Sequence, residues 1–283
     1  MIRVKRNISS ILRGALIVVA ILHTATSCSV VAFPEKASFS FTPVYGTLTM
    51  DGSAKMESGS VTSGKTRNGP NDLENALNVA DRDTGVGATL GYGDGFAGVE
   101  FGFLRYEQRA FDTTGRLEND FGSLLKDDAV SSDILFQQWT LEYLVRLVDL
   151  ELSDKVDFAF AAGVGVHHNS LRFQAETPLA STPSSVSLSM QDGGMPMLRS
   201  RADVTWKRLR GRIDFGYSDG HWRNIDGRVA DFEVSAAYSV TRDVRAFASW
   251  RRYDLPFAGG KNGLDYEFDA QLEGFYFGLE LRF

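Results

Sequence analysis

The sequence predicts an all-β fold: an antiparallel transmembrane β-barrel of about ten strands, with long loops at one end and short turns at the other. Three observations predict it. Apolar and polar residues alternate with a period of two in ten separate runs, which is the side-chain period of a β-strand. The connections between these runs alternate between long and short. The polar positions are rich in Gly and Ala as well as in charge, as the crowded interior of a narrow barrel requires.

The amino-terminal segment has the layout of a secretory signal peptide. A basic stretch, "MIRVKR", precedes the apolar "ALIVVAIL", which is too short to cross a membrane as a helix. We assign 1–27 to the signal peptide, with cleavage after Ser27 or Ala32, 28–37 to a short periplasmic leader and 38–283 to the barrel. The stretch "ATSC" is similar to a bacterial lipobox, although Ala25 stands where leucine is usual, and this makes Cys28 a candidate for lipidation.

Charge and cysteine content narrow the possible partners. The net charge is −6, and removal of the basic amino terminus makes it more negative, which argues against nucleic acid as a partner. Cys28 is the single cysteine, so no thiolate metal site is expected. The adjacent His167 and His168 point to opposite faces of a strand and cannot share an ion. We therefore expect no metal and no cofactor.

The ten runs follow one another with clear alternation. The first pairs Phe39 with Phe41 on one face, and the last ends on Leu281 and Phe283. In chain order the runs are 38–50, 84–92, 98–104, 138–148, 156–168, 198–207, 212–217, 231–240, 244–253 and 274–283. The long connections are 51–83, 108–133, 169–194, 218–228 and 254–264, and the short ones are 93–95, 149–154, 208–210 and 241–243. Eight or twelve strands remain possible, because the second and third long connections could contain a further hairpin.

The alternation fits two orientations. A soluble secreted β-sandwich would turn the apolar face inward, whereas a membrane barrel turns it toward lipid. Aromatic residues sort into two groups along the strands, as expected for the two membrane interfaces. Those near the short turns are Tyr92, Trp206, Tyr238 and Phe283, and those near the long loops are Phe103, Trp139, Tyr217 and Trp250. The membrane orientation is favoured, because the sandwich would expose Trp250 and Phe283 and would bury unpaired charges.

In the membrane orientation, the polar positions of the strands face the lumen. Their signs are nearly balanced, so we expect a network of salt bridges across a narrow interior. The predicted lumen residues are Glu100, Glu142, Arg146, Asp157, Arg199, Arg201, Asp203, Arg212, Asp214, Asp231, Glu233, Arg245, Arg251, Glu280 and Arg282.

The chain ends in "GFYFGLELRF", which alternates up to a terminal phenylalanine. This ending resembles the carboxy-terminal signature of bacterial outer-membrane β-barrels, and the resemblance covers 38–283 as an architecture. It implies a location in a Gram-negative outer membrane and contact with outer-membrane lipid and lipopolysaccharide. It also implies recognition of the last strand, ending in Phe283, by the barrel-insertion machinery.

Several functions are compatible with this architecture. We expect a non-enzymatic scaffold or surface-interaction protein with a largely plugged lumen, and a narrow diffusion channel is the main alternative. An omptin-like protease would need Asp81 and Asp83 to face the Asp219-Gly220-His221 stretch across the mouth. A lipid A-modifying enzyme could use His168 and Ser170. The extracellular ligand is not encoded in any motif that we can identify, although the long loops are where binding residues are expected.

Overall fold

The structure is a computed structural model that describes residues 37–60, 64–79, 82–109, 114–178, 183–191, 194–222, 225–261 and 263–283. The expected signal peptide, nearly all of the leader with Cys28, and Asp81 lie outside these residues. No helix within the described ranges is long and apolar enough to cross a membrane.

The described chain is built from antiparallel strands. In order these are β1 (Ser38–Met56), β2 (Ser58–Ser60), β3 (Gly64–Thr66), β4 (Asn71–Asp72), β5 (Asp83–Gly93), β6 (Gly98–Arg109), β7 (Gly115–Arg116), β8 (Ala129–Ser153), β9 (Val156–Glu176), β10 (Ser185–Gln191), β11 (Met195–Trp206), β12 (Leu209–Trp222), β13 (Ile225–Ser239), β14 (Val244–Lys261) and β15 (Leu264–Arg282).

Ten of these strands close into a ring, as the sequence predicts. The order around the ring is β1, β5, β6, β8, β9, β11, β12, β13, β14 and β15, and β15 pairs again with β1. The last residue closes this seam, because Phe39 and Phe283 exchange two main-chain hydrogen bonds of 3.1 Å. A closed ring satisfies the main-chain groups in lipid and leaves no edge strand.

The register around the ring gives the barrel its shear. Starting at Gly93 on β5, one can step from each residue to its register partner on the next strand, through β6 and on around the ring. This path arrives on β1 at Met50. In the other direction, Gly93 pairs directly with Ser38 of β1. The difference between residues 50 and 38 is a displacement of twelve residues, which goes with strands tilted by about 40°. The path runs through Gly93, Gly98, Leu144, Gly163, Arg199, Gly216, Asp231, Tyr253, Leu272 and Met50.

The strands are longer than the sequence predicts, and this corrects the long connections. β8 has 25 residues and β9 has 21, whereas a tilted strand crosses a bilayer in about 9–11. The predicted connection 254–264 lies almost wholly in β14 and β15, and most of 218–228 lies in β12 and β13. The third long connection contains β10, which pairs with the upper part of β9 above the stretch that pairs with β11.

The sequence pattern underestimates strand length because the apolar residues change from the outer to the inner face within a single strand. On β15 the outward-facing Phe275 and Phe277 are exposed and apolar, but six residues earlier the outward residue is Asp269 and the buried neighbours are Phe268 and Leu272. The backbone continues unchanged while the apolar set moves from the outer to the inner face. The same reversal occurs on β1, β6, β8, β9 and β14.

The reversal divides the barrel into two tiers. In the lower tier, toward the short turns, apolar residues face outward and charged residues face the lumen. In the upper tier the lumen contains an apolar core, made by the strands together with segments 71–79 and 115–128 that fold inside the ring. Leu73, Leu77, Leu117, Phe121 and Leu124 of these segments are all at most 1% exposed. We call 71–79 and 115–128 the plug segments.

Candidate functional site

The outer surface of the lower tier is an apolar band. Leu198, Phe275 and Phe283 are 66%, 60% and 73% exposed, which a water-soluble surface of this extent would not tolerate. The eight residues predicted for the aromatic belts all have outward strand positions or, for Phe283, a terminal outward position. Phe103 and Trp139 are neighbours at the upper border, with ring centroids 4.3 Å apart, and Phe39 packs between Tyr92 and Phe283 at the lower one.

Inside the same strands, charged groups are buried against one another. A closed ring with apolar residues outside and ionised residues inside is the inverse of a soluble protein. The chain is a transmembrane β-barrel.

The lumen of the barrel contains seven arginines and seven carboxylates that are joined by ion pairs. The arginines are Arg199, Arg201, Arg210, Arg212, Arg245, Arg251 and Arg282, and the carboxylates are Glu100, Glu142, Asp203, Asp214, Asp231, Glu233 and Glu280. Equal numbers of opposite charges make the network neutral, which lowers the cost of burying it. We call these fourteen residues the charged tier.

One chain of contacts crosses four strands. The Arg199 guanidinium donates from Nε to Glu142 Oε2 at 3.0 Å and from Nη1 to Asp231 Oδ2 at 2.6 Å. Arg251 donates to both oxygens of Asp231, at 2.8 and 2.7 Å, and lies 3.6 Å from Glu233. Asp231 is therefore shared between two guanidinium groups, which fixes both of them across the lumen.

A second group is centred on Arg201, which is 4% exposed on β11. It donates to Asp214 on the neighbouring β12 at 2.6 Å and to both oxygens of Glu100 on the distant β6, at 2.6 and 2.9 Å. Asp203 on the same strand accepts from Arg210 and from Arg212, the latter at 2.8 Å. Around these groups remains a polar cavity of about 160 Å³.

The first short turn, 94–97, folds into the lower opening of the barrel, and we call it the floor turn. Phe96 is buried there, and the carbonyl oxygens of the turn accept hydrogen bonds from lumen arginines. Arg210 and Arg212 donate to Gly95 O at 2.8 and 2.7 Å, Arg201 donates to Phe96 O at 3.1 Å, and Arg282 donates to Asp94 O at 3.4 Å. The floor turn and the charged tier thus form one network.

Gly95 is required for this turn. Its φ is +82°, and a Cβ placed on it would overlap the Arg282 guanidinium. We expect Gly95→Ala to reduce the free energy of unfolding by roughly 1–2 kcal/mol, because an L-residue is strained in this region. Urea unfolding in detergent micelles measures the change. Gly211→Ala is the control, because an added Cβ there meets no atom within 4 Å; equal midpoints for the two variants would contradict the assignment.

Two residues predicted to face the lumen, Arg146 and Asp157, lie outside the charged tier. One residue of the charged tier, Arg210, is not among the residues predicted to face the lumen. Arg146 and Asp157 are exposed at the lower rim, because β8 and β9 continue below the end of β6 at Gly98. Arg146 pairs there with Asp94 at 2.6 Å and with Asp149, and its guanidinium lies over the Phe96 ring. The sequence predicts Arg210 in the short connection 208–210, but its ion pair with Asp203 places it in the lumen. The period of two continued through Arg210, and this was the available signal.

The upper tier is apolar in its lumen and polar outside. Phe121 packs against Phe173 at 5.8 Å between ring centroids, and Phe173 packs against Phe268 at 6.0 Å. Burial raises the pKa of Tyr106 and of Tyr253, which keeps both phenols neutral. The plug segments lie within the predicted long connections 51–83 and 108–133, where apolar residues are separated by charged ones and show no regular period that would predict a core. Among described residues, no group of three or more His, Cys, Asp or Glu could hold a metal ion.

The described side chains that the enzymatic alternatives would use on β9 and β12 lie on the outer surface. Asp219 and His221 occupy outward positions of β12, and His221 Nδ1 lies 2.5 Å from Asp226 Oδ1 on β13. Asp83 begins β5, which is five strands away around the ring. That is the opposite side of the ring, but Asp219 and His221 face outward, so the described residues do not form an Asp–His pair that faces Asp83 across the mouth. His168 and Ser170 occupy outward positions of β9, and His168 is the register partner of Trp139.

Comparison with known proteins gives structural likeness only. No family model matches the sequence, and no curated protein matches it significantly. The outer membrane protease OmpT from Escherichia coli is 11% identical, with 90% of this chain and 99% of that one covered and a TM-score of 0.49. The translocator domain of the autotransporter NalP from Neisseria meningitidis is 11% identical, covering 97% and 98%, with a TM-score of 0.39. Neisserial surface protein A is 12% identical, covering 88% and 100%, with a TM-score of 0.31.

Proposed function

We propose that the barrel is a non-enzymatic scaffold or surface-interaction protein with a closed lumen. The observation that carries this proposal is the series of three obstacles along the barrel axis: the floor turn, the charged tier and the apolar core around the plug segments. An ion that followed this path would have to leave water and enter a core in which Phe121, Phe136 and Phe173 are fully buried. The narrow diffusion channel is the less favoured alternative for this reason.

Planar-bilayer recording tests the closed lumen. We expect the full-length refolded chain to insert without steady single-channel conductance, because the apolar core excludes water. A refolded porin of known conductance, recorded in the same lipid, controls for the assay. Reproducible open steps from the wild-type chain would refute the closed lumen and favour the channel.

We also propose that one side of the barrel binds the phosphate groups of lipopolysaccharide. Arg105 and Arg109 on β6 and Arg172 on β9 face outward just above Phe103 and Trp139, where the apolar band ends. Hydrogen bonds from Arg105 and Arg109 lower the pKa of Glu107 between them and keep it ionised. Two guanidinium groups against one carboxylate leave these three residues with a net positive charge. On β15, three strands from β6 around the ring, three of the outward residues at this height and above are acidic: Glu267, Asp269 and Glu273.

Binding of lipid A to the refolded barrel in micelles tests this partner. We expect Arg105→Gln combined with Arg172→Gln to weaken binding about thirtyfold, since each arginine near such a surface contributes about 1 kcal/mol. Arg252→Gln is the matched control, because Arg252 lies at a similar height beside Asp254 on the acidic side, with 2.9 Å between the charged groups. Dephosphorylated lipid A should bind all forms alike; equal loss with both lipids would contradict phosphate recognition.

The last strand is the proposed contact with the barrel-insertion machinery. Phe275, Phe277, Leu279 and Phe283 form an exposed apolar row on β15 and its terminal residue, and the strand pairs with β1 to close the ring. Before closure this strand would carry an unpaired edge, which suits recognition by strand pairing. The exposed row and the position of β15 at the seam support this proposal.

A further inference from the structure

Two short turns at the lower border of the apolar band carry three exposed basic residues. Lys207 and Arg208 form the turn between β11 and β12, and Arg242 lies in the turn between β13 and β14. Among the described residues, no carboxylate forms an ion pair with any of the three. Asp243 is the one acidic residue in these two turns, so their net charge is positive. We call Lys207, Arg208 and Arg242 the basic rim.

The two turns are neighbours on one side of the barrel. Ser239 N–H donates to Arg208 O at 2.9 Å, which joins the end of β13 to the turn after β11. Arg242 follows three residues after Ser239. A hydrogen bond of 3.1 Å from Val244 N–H to Thr241 Oγ1 closes the turn that contains Arg242. The two arginines therefore start from fixed, adjacent main-chain positions, and their long side chains can meet at one bound group.

An exposed apolar surface lies beside the basic rim, at the end of the apolar band. Leu209 and Tyr238 are register partners on β12 and β13, and both are nearly half exposed, as is the following Val240. The Lys207 ammonium lies 5.3 Å from the centre of the Trp206 ring, and this cation–π contact keeps the charge next to the apolar surface. Acyl chains can therefore cover the apolar residues while a phosphate of the same lipid lies at the basic rim.

The adjacent β8–β9 hairpin, which also projects at the lower end, has the opposite charge. Most of its charged residues are acidic: Asp149, Glu151, Asp154 and Asp157 stand against Arg146 and Lys155. An anionic group is therefore attracted to the basic rim and repelled by the hairpin.

We propose that the basic rim binds the headgroup of an anionic phospholipid from the leaflet on the side of the short turns. A guanidinium group can donate two parallel hydrogen bonds to phosphate oxygens, and the apolar surface beside the rim receives the acyl chains. The contact goes beyond the proposed lipopolysaccharide contact, which uses arginines of β6 and β9 at the other border of the apolar band.

Native mass spectrometry of the full refolded chain, titrated with phosphatidylglycerol in neutral detergent, tests the site. Every protein carries Arg105→Gln and Arg172→Gln, so that bound lipid does not report on the other border. We expect this background chain to bind phosphatidylglycerol more tightly than phosphatidylcholine. Adding Arg208→Gln should weaken phosphatidylglycerol binding about fivefold, and Arg208→Gln with Arg242→Gln about thirtyfold, since each basic residue near a membrane surface contributes about a factor of five.

Two variants are the controls. Lys155→Gln removes one positive charge from the acidic hairpin at the same end of the barrel, so it should bind phosphatidylglycerol like the background chain. Arg208→Lys with Arg242→Lys keeps the charge of the basic rim and should retain most of the affinity.

Several outcomes would overturn the proposal. These are equal phosphatidylglycerol binding by the background chain and the double glutamine variant, equal affinity for phosphatidylcholine, or an equal loss in Lys155→Gln, which would assign the effect to total charge. Displacement of the lipid by glycerol phosphate at the same concentration would show a site for free phosphate esters instead. Lipid A binding is a separate readout: a wild-type chain that fails to bind lipid A, with the phosphatidylglycerol results as expected, refutes only the lipopolysaccharide contact.

Discussion

Arg201→Met is expected to destabilise the barrel by about 3–5 kcal/mol, measured by urea unfolding in micelles. Arg201 is 4% exposed and is the ion-pair partner of Glu100 and Asp214, which face one another across the lumen. Methionine fills a similar volume but leaves two carboxylates without their shared cation. The Phe96 carbonyl also loses its donor, so the floor turn should loosen at the same time.

Two comparisons separate this effect from a general loss of arginine. Arg146→Met should cost less than about 1 kcal/mol, because Arg146 lies at the exposed rim and its ion pairs are screened by solvent. Adding Glu100→Gln and Asp214→Asn to Arg201→Met should recover much of the stability, since the uncompensated charges are then gone. If the triple variant were no more stable than the single one, packing rather than charge would be the function of Arg201.

Phe121→Ala is expected to cost about 3–5 kcal/mol and to release the plug segment around it. Phe121 is fully buried although it lies in a connection, and its ring meets Phe173 edge-on. Its removal leaves a cavity between the plug segment and the barrel wall. We expect limited proteolysis to cut within 115–128 in the variant at protease concentrations that leave the wild type intact, while the wall remains folded.

The control for this variant is in the same segment. Leu125 is 63% exposed, so Leu125→Ala should change stability by less than about 0.5 kcal/mol and leave the cleavage pattern unchanged. Equal cleavage of the two variants would mean that the segment is held by its turns and not by Phe121. The closed-lumen proposal would then lose part of its support.

The lower tier of the barrel could be predicted from the sequence because one rule holds along each strand. Residues such as Phe275 and Phe277 face lipid at every second position, and Glu280 and Arg282 fall between them. The charged tier follows from the same period. What the period does not supply is the partner of each charge: that Arg201 reaches Glu100 depends on the shear and on which strands face one another across the lumen.

The upper tier could not be predicted by that rule, because the rule reverses there. Leu272 and Phe268 lie on the lumen side of β15, the opposite parity to Phe275, so the pattern looked interrupted where the strand continues. The plug segments have no period, and Phe121 and Leu124 become core residues only because the ring surrounds them. A search for apolar runs that change parity within one strand could have found the upper tier.

The parity change also fixes the depth of the barrel in its membrane. To sink further, it would have to bring outward-facing Arg105, Arg252 and Glu273 into hydrocarbon, at up to about 2–4 kcal/mol for each arginine near the midplane. To rise, it would expose Phe103 and Trp139 to water. In a thicker bilayer the lipid must therefore thin around the protein. We expect such barrels to concentrate in membrane regions whose hydrocarbon thickness equals the height of their apolar band.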